Sequence, residues 1–140
     1  MPIGKTRGES RTIAFMEKRA HILVVDDEQA ITDLVVNLLA AEGMDALACY
    51  SGQAALDMLA RTPFDLAIVD IMMPVMDGYE AVREIRSSGR ADAQSIPIIA
   101  LTANAFLEDA ERVKKEGMNE HLPKPLDVGK MLSVLAKYRK

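Results

Sequence analysis

The chain has 140 residues, of which 49% are apolar and only 4% aromatic, with no Trp, so it is sized for one domain with an aliphatic core. Its formal net charge of −4 argues against nucleic acid as the main partner. The single cysteine, Cys49, rules out an internal disulfide, and no apolar stretch reaches the roughly 18 residues needed to span a bilayer.

Residues 1–19 are basic, polar and Gly-containing, and read as a flexible tail with a short helix near Ile13-Ala14-Phe15-Met16. Met16 offers an alternative start. The N-terminus lacks the apolar centre of a secretory signal, so the expected location is the cytoplasm, without membrane insertion. From His21 onward, short apolar runs alternate with amphipathic stretches. The runs at 21–25, 45–49, 65–69, 96–101 and 119–122 read as buried parallel strands. Cys49 falls in the second and reads as a buried structural thiol.

The intervening stretches carry helical spacing. Ile31, Leu34, Val35, Leu38 and Leu39 form the first, with Gly43 as a stop. Ala54, Ala55, Met58 and Leu59 form the second, capped by Ser51 and closed by Thr62-Pro63. Tyr79, Val82, Arg83 and Ile85 form the third, ending near Ser87-Ser88-Gly89. Phe106, Leu107, Ala110 and Val113 form the fourth, ending at Gly117; Val128, Met131, Leu132 and Leu135 form the last, opened by Asp127. Five strands alternating with five helices predict a doubly wound α/β domain over residues 20–140, with helices on both faces of the sheet. The chain ends just after the fifth helix, so no attached output domain is expected.

The chemistry sits at the strand ends. Asp26 and Asp27 close the first run, Asp70 the third and Thr102 the fourth, and Lys124 follows the fifth. Residues at the carboxyl ends of such strands converge on one crevice, where ligands bind in open α/β sheets. Adjacent carboxylates repel unless a cation lies between them, and magnesium takes one or two carboxylates together with waters and phosphate oxygens. The competing reading has Asp27 merely opening the first helix, favoured there by the helix dipole; it leaves Asp70 unexplained. With a bound divalent ion, Asp70 can act as a nucleophile and form an aspartyl phosphate. Lys124 as a point charge and Thr102 through its hydroxyl would then steady the phosphoryl oxygens.

Four segments carry a resemblance: Ile22-Leu23-Val24-Val25-Asp26-Asp27-Glu28, Asp70-Ile71-Met72-Met73-Pro74-Val75-Met76-Asp77-Gly78, Ala100-Leu101-Thr102-Ala103-Asn104-Ala105 and Leu122-Pro123-Lys124-Pro125-Leu126. In this order and spacing the chain resembles the receiver domain of response regulators in two-component signalling and phosphorelays. The resemblance implies a flavodoxin-like sheet of order 2-1-3-4-5, with Asp70 as phosphoacceptor. It implies magnesium held directly by Asp27, Asp70 and the backbone carbonyl of Met72, and by Asp26 largely through water. It further implies a cis Lys124–Pro125 bond, and Gly78 in a loop needing angles other residues avoid.

The implied partners are a sensor histidine kinase or histidine phosphotransfer protein as donor and a downstream target protein, with the chain a monomer or a phosphorylation-dependent dimer. Thr102 and the position of His121 form the switch; receivers usually place Tyr or Phe where this chain has His121, which is smaller and titratable. Met72 and Asn104 flank the site where the lifetime of the phosphoryl group is tuned. Two alternatives stay open: a magnesium-dependent phosphohydrolase working through an aspartyl phosphate, and a receiver-like interaction module that is never phosphorylated. So does the choice between a free-standing regulator and a receiver cut from a hybrid kinase.

Overall fold

The computed structural model describes residues 19–89, 93–103, 107–124 and 126–138. The expected tail helix, Asn104 and the Lys124–Pro125 bond lie outside the described residues. Within them the chain runs β1 (His21–Val25), α1 (Gln29–Ala41), β2 (Asp45–Cys49), α2 (Gly52–Arg61), β3 (Leu66–Asp70), α3 (Gly78–Arg86), β4 (Ile98–Thr102), α4 (Leu107–Lys115), β5 (Glu120–Pro123) and α5 (Val128–Tyr138). All strand pairings are parallel, and the sheet order is β2-β1-β3-β4-β5. None of these helices is long and apolar enough to cross a membrane.

Strand alternation divides the core in two. Leu23 and Val25 of β1, with Ala67 and Val69 of β3, face α2, α3 and α4 through Leu59, Val82, Ile85 and Val113. Ile22 and Val24, with Leu66 and Ile68, face α1 and α5 through Val35, Leu39, Met131 and Leu135. Successive side chains of a strand point to opposite faces, so central strands covered by helices on both sides must be apolar throughout. Every residue of β3 and β4 is buried, including the terminal Asp70 and Thr102.

Three strand boundaries move relative to the sequence reading. Asp65 precedes β3: its amide donates to the His21 carbonyl at 2.8 Å, and its carboxylate accepts from the His21 amide at 2.8 Å. β4 starts only at Ile98, after Pro97, which has no N–H to donate. β5 likewise runs one residue later, through Pro123. Asp70 and Thr102 are therefore the last ladder residues of their strands rather than the first residues of loops.

Helix ends follow local chemistry. The Ala54 amide donates to Ser51 Oγ at 3.1 Å, as the cap requires. Asp77 and Glu80 form a reciprocal capping box on α3 that the sequence reading missed. Gly43 and Gly117, which close α1 and α4, take positive φ values of 86° and 100°. Asp27 does not open α1: the capping position is Glu28, and the first turn contains no acid.

Arg86 fastens the amino-terminal edge of the sheet. Its guanidinium donates to the carbonyls of Ala93 (3.0 Å), Ile96 (2.8 Å) and Gly117 (2.7 Å) and to Asn119 Oδ1 (3.2 Å). It thus joins the end of α3 to the segments entering β4 and β5. Charged hydrogen bonds contribute about 1.5–3 kcal/mol each, and a truncated partner leaves the carbonyls unsatisfied. Arg86→Met is expected to cost about 3 kcal/mol, read as a lowered urea midpoint at unchanged m-value.

Candidate functional site

β1 and β3 deliver their acids side by side because the two strands are direct neighbours in the sheet. Asp26 follows β1 and is fully buried; Asp70 ends β3 and is 2% exposed. Asp27, one residue on, is exposed. One oxygen from each of Asp26, Asp27 and Asp70 lies within 4.8 Å of the others. Two of the three carboxylates are anchored by backbone donors: the Glu28 amide gives to Asp26 Oδ1 at 3.0 Å, and the Met72 amide to Asp70 Oδ1 at 3.1 Å. Their second oxygens face Lys124, whose Nζ is 3.1 Å from Asp26 Oδ2 and 3.5 Å from Asp70 Oδ2. Asp26 Oδ2 has this ion-pair contact but no hydrogen bond in good geometry.

β4 and β5 supply the remaining groups. Lys124 is placed by its amide, which donates to the Thr102 carbonyl at 2.7 Å. Asp70 pairs in register with Leu101, which puts Thr102 one residue further along the neighbouring strand. Thr102 Oγ1 is fully buried and has no hydrogen-bond partner. An unsatisfied buried hydroxyl costs about 1–3 kcal/mol, so it marks a place where an acceptor is wanted. His121 is half-buried on β5, in register with Ala100, and borders an open depression with Asp127, Lys130 and Val134 of the following segment. Met72 is 70% exposed beside the acids.

The loop after Asp70 shows why glycine stands at 78, and the reason differs from the expected one. Gly78 does not take a positive φ; the residue that does is Val75, at 68°, a strained conformation for a β-branched side chain. Gly78 is required by proximity: a Cβ there would lie 2.6 Å from the Asp70 carbonyl oxygen and 2.7 Å from Ile71 Cα. The helix start is pressed directly onto the strand end that carries the acid.

Two residues that the sequence reading left without a role complete the site. Thr32, fully buried, donates its hydroxyl between the carbonyls of Asp26 (2.8 Å) and Glu28 (2.9 Å), which steadies the acidic turn. The Glu28 carboxylate reaches Lys124 Nζ at 3.4 Å. Glu28 lies inside the first of the four motif segments, but nothing in the linear order shows that it meets a lysine 96 positions away.

Burial pushes the Asp70 carboxyl up from 3.8 to about 6; the Asp26 charge adds to this, while the Met72 amide and Lys124 oppose it. Burial works against the Lys124 ammonium, but Asp26, Asp70 and Glu28 together hold it charged, above its ordinary value. Without a divalent ion, Asp70 holds its proton more tightly folded than unfolded. Stability is therefore lost as pH rises between 3.8 and about 6, and the loss is complete above that window. A shift of about two units corresponds to at most about 3 kcal/mol. In chelator, Asp70→Asn is expected to be about 1–3 kcal/mol more stable than the wild type at pH near 8, a difference that closes near pH 4 in urea titrations.

Residues 22–136 match the response regulator receiver domain. The chain belongs to the response regulator receiver family. Among curated proteins it is 35% identical over 118 residues to the sensor protein GacS of Pseudomonas syringae pv. syringae, covering 84% of this chain and 13% of that protein. It is 36% identical over 120 residues to the heme response regulator HssR of Staphylococcus aureus, covering 83% of this chain and 51% of that protein. The chain thus spans about half or less of the length of these relatives, which include a sensor protein as well as a response regulator.

Among solved structures, the chemotaxis response regulator CheY4 of Vibrio cholerae superposes with a TM-score of 0.81 at 30% identity, covering 87% of this chain and 100% of that one. The receiver domain of the sensor histidine kinase PA1611 of Pseudomonas aeruginosa superposes with a TM-score of 0.77 at 32% identity, covering 86% and 98%. That receiver holds a magnesium ion in its active-site cleft.

Proposed function

We propose that this receiver accepts a phosphoryl group on Asp70 from a phosphohistidine donor, with magnesium as cofactor, and that the phosphorylated form alters binding of a downstream target in the cytoplasm. The observation that carries this reading is the buried Asp70 carboxylate, backed by an ammonium at 3.5 Å and grouped within 4.8 Å of two further acids.

The residues fit magnesium. The donor set is all oxygen, and Asp26 Oδ2 is buried without a hydrogen bond. Asp26, Asp27 and Asp70, with the Met72 backbone carbonyl, would hold the ion. When bound it would supply positive charge against the carboxylates and the phosphoryl oxygens.

The chain's own groups do the rest. Asp70, held by the Met72 amide, forms the new O–P bond as the donor's N–P bond breaks. Lys124 follows the charge that moves onto the phosphoryl oxygens, and Thr102 offers them its unpartnered hydroxyl. Drawing Thr102 toward Asp70 moves the end of β4, and His121 on the adjoining strand turns in response; such a charge event at a bistable face is how a local modification becomes a readout.

The Met72 side chain offers no strong hydrogen bond to an attacking water and no acid or base, which speaks for a long-lived phosphoryl group rather than hydrolase turnover. Phosphate release is expected to be slower than from Met72→Asn by about threefold or more, one hydrogen bond being worth about 0.5–1.5 kcal/mol. Equal release rates would remove Met72 from its tuning role. The reading as a whole is tested by incubation with acetyl phosphate and magnesium, followed by phosphotransfer profiling against the host's kinases; absence of an acyl-phosphate form overturns it.

A further inference from the structure

We propose that Glu28 is a positioning residue for Lys124, receiving its ammonium when a divalent ion takes Asp26 and Asp70. The inference rests on the reading above that the acidic cluster binds magnesium, and deepens it.

Lys124 Nζ stands among three carboxylates: Asp26 at 3.1 Å, Glu28 at 3.4 Å and Asp70 at 3.5 Å. Two of these belong to the acidic cluster, and Glu28 does not. Ammonium and metal ion therefore draw on the same two carboxylates, and a bound ion weakens the hold of Asp26 and Asp70 on Lys124. The Lys124 side chain is only 21% exposed, so an ammonium set loose there without an anion would be poorly solvated.

Glu28 is built for the exchange. Its backbone is fixed, with the amide on Asp26 Oδ1 and the carbonyl receiving the Thr32 amide at 3.0 Å and the Thr32 hydroxyl. Its side chain makes no cap to α1 and is 60% exposed, free to follow the ammonium outward. Loading thus moves Lys124 from three anions to one, while keeping it charged and near the position where phosphoryl oxygens arrive.

Calorimetric titration of the full chain with magnesium tests this. Glu28→Gln is expected to bind magnesium about two- to fivefold more weakly, the range spanned by one exposed ion pair. A plain loss of negative charge would also weaken binding, so the same substitution is made in a Lys124→Met background, or Lys124→Gln should the first not fold. If Glu28 acts through Lys124, its effect disappears there. An equal loss in both backgrounds, or an affinity that is unchanged or tightened in the single variant, overturns the proposal. A wild type that binds no magnesium sinks the metal reading itself, whereas a wild type that binds with Glu28 silent sinks the role of Glu28 alone.

Discussion

Asp70→Asn is expected to abolish magnesium-dependent labelling by acetyl phosphate, a loss of about three orders of magnitude or more, since the substitution removes the proposed nucleophile itself. The asparagine is isosteric, and its amide oxygen can still accept from the Met72 amide, so the site keeps its shape. It also relieves a buried charge placed beside Asp26, so the variant should fold at least as well as the wild type at neutral pH. Loss of labelling therefore cannot be put down to unfolding.

The neighbouring substitutions calibrate this result. In the proposed reaction, removing Lys124 takes away one stabilising charge from the phosphoryl oxygens, and losses for a single such group are about 10²–10³-fold. Lys124→Ala should thus label slowly rather than not at all. Intact-mass measurement of one added phosphoryl group reads both. Full labelling of Asp70→Asn would mean that phosphorus goes elsewhere, and the phosphoacceptor assignment would fall.

Gly78→Ala is the second large effect, and it concerns the frame rather than the chemistry. The new methyl would lie 2.6 Å from the Asp70 carbonyl oxygen and 2.7 Å from Ile71 Cα. Both neighbours are backbone, so no rotamer change can make room. The Gly78 amide also donates to the Ile71 carbonyl at 3.2 Å, which ties the two segments together. Overpacking into such a site costs about 1–3 kcal/mol and at times more; here about 3 kcal/mol is expected, with Asp70 displaced and labelling slowed.

Gly43→Ala is the control. Gly43 has φ of 86°, and a methyl added there would meet nothing within 4 Å, so only backbone strain of about 1–2 kcal/mol applies. Urea midpoints for the two variants should separate clearly. A Gly78 variant no less stable than the Gly43 variant would mean that α3 does not press on the end of β3.

Much of the site was legible because strand ends are legible. An apolar run that stops at a carboxylate, a hydroxyl or an amine announces a residue at the sheet's edge, and Asp26, Asp70, Thr102 and Lys124 all stand there. The boundary errors arose where apolar pattern and ladder diverge. Ile96 is apolar and buried yet outside β4, because Pro97 interrupts the amides, and Asp65 ties to His21 instead of joining β3. The capping box of Asp77 and Glu80 is local, an acid followed three residues later by Glu, and so is present in the sequence pattern itself. Gly78 fits its loop through the missing methyl and not through unusual backbone angles, and linear order cannot tell the one need from the other.

The periodicity of the chain alone determined an alternating α/β domain, because strands buried on both faces must be continuously apolar and the helices between them must be two-sided. The same chain of residues named the acids, the hydroxyl and the lysine. Only tertiary structure decided that Lys124 rests among three carboxylates, that Glu28 is one of them, and that Thr102 is left with a buried hydroxyl lacking a partner. Those facts depend on contacts between residues far apart along the chain, made when parallel strands come into register, and no local pattern encodes the distances between them.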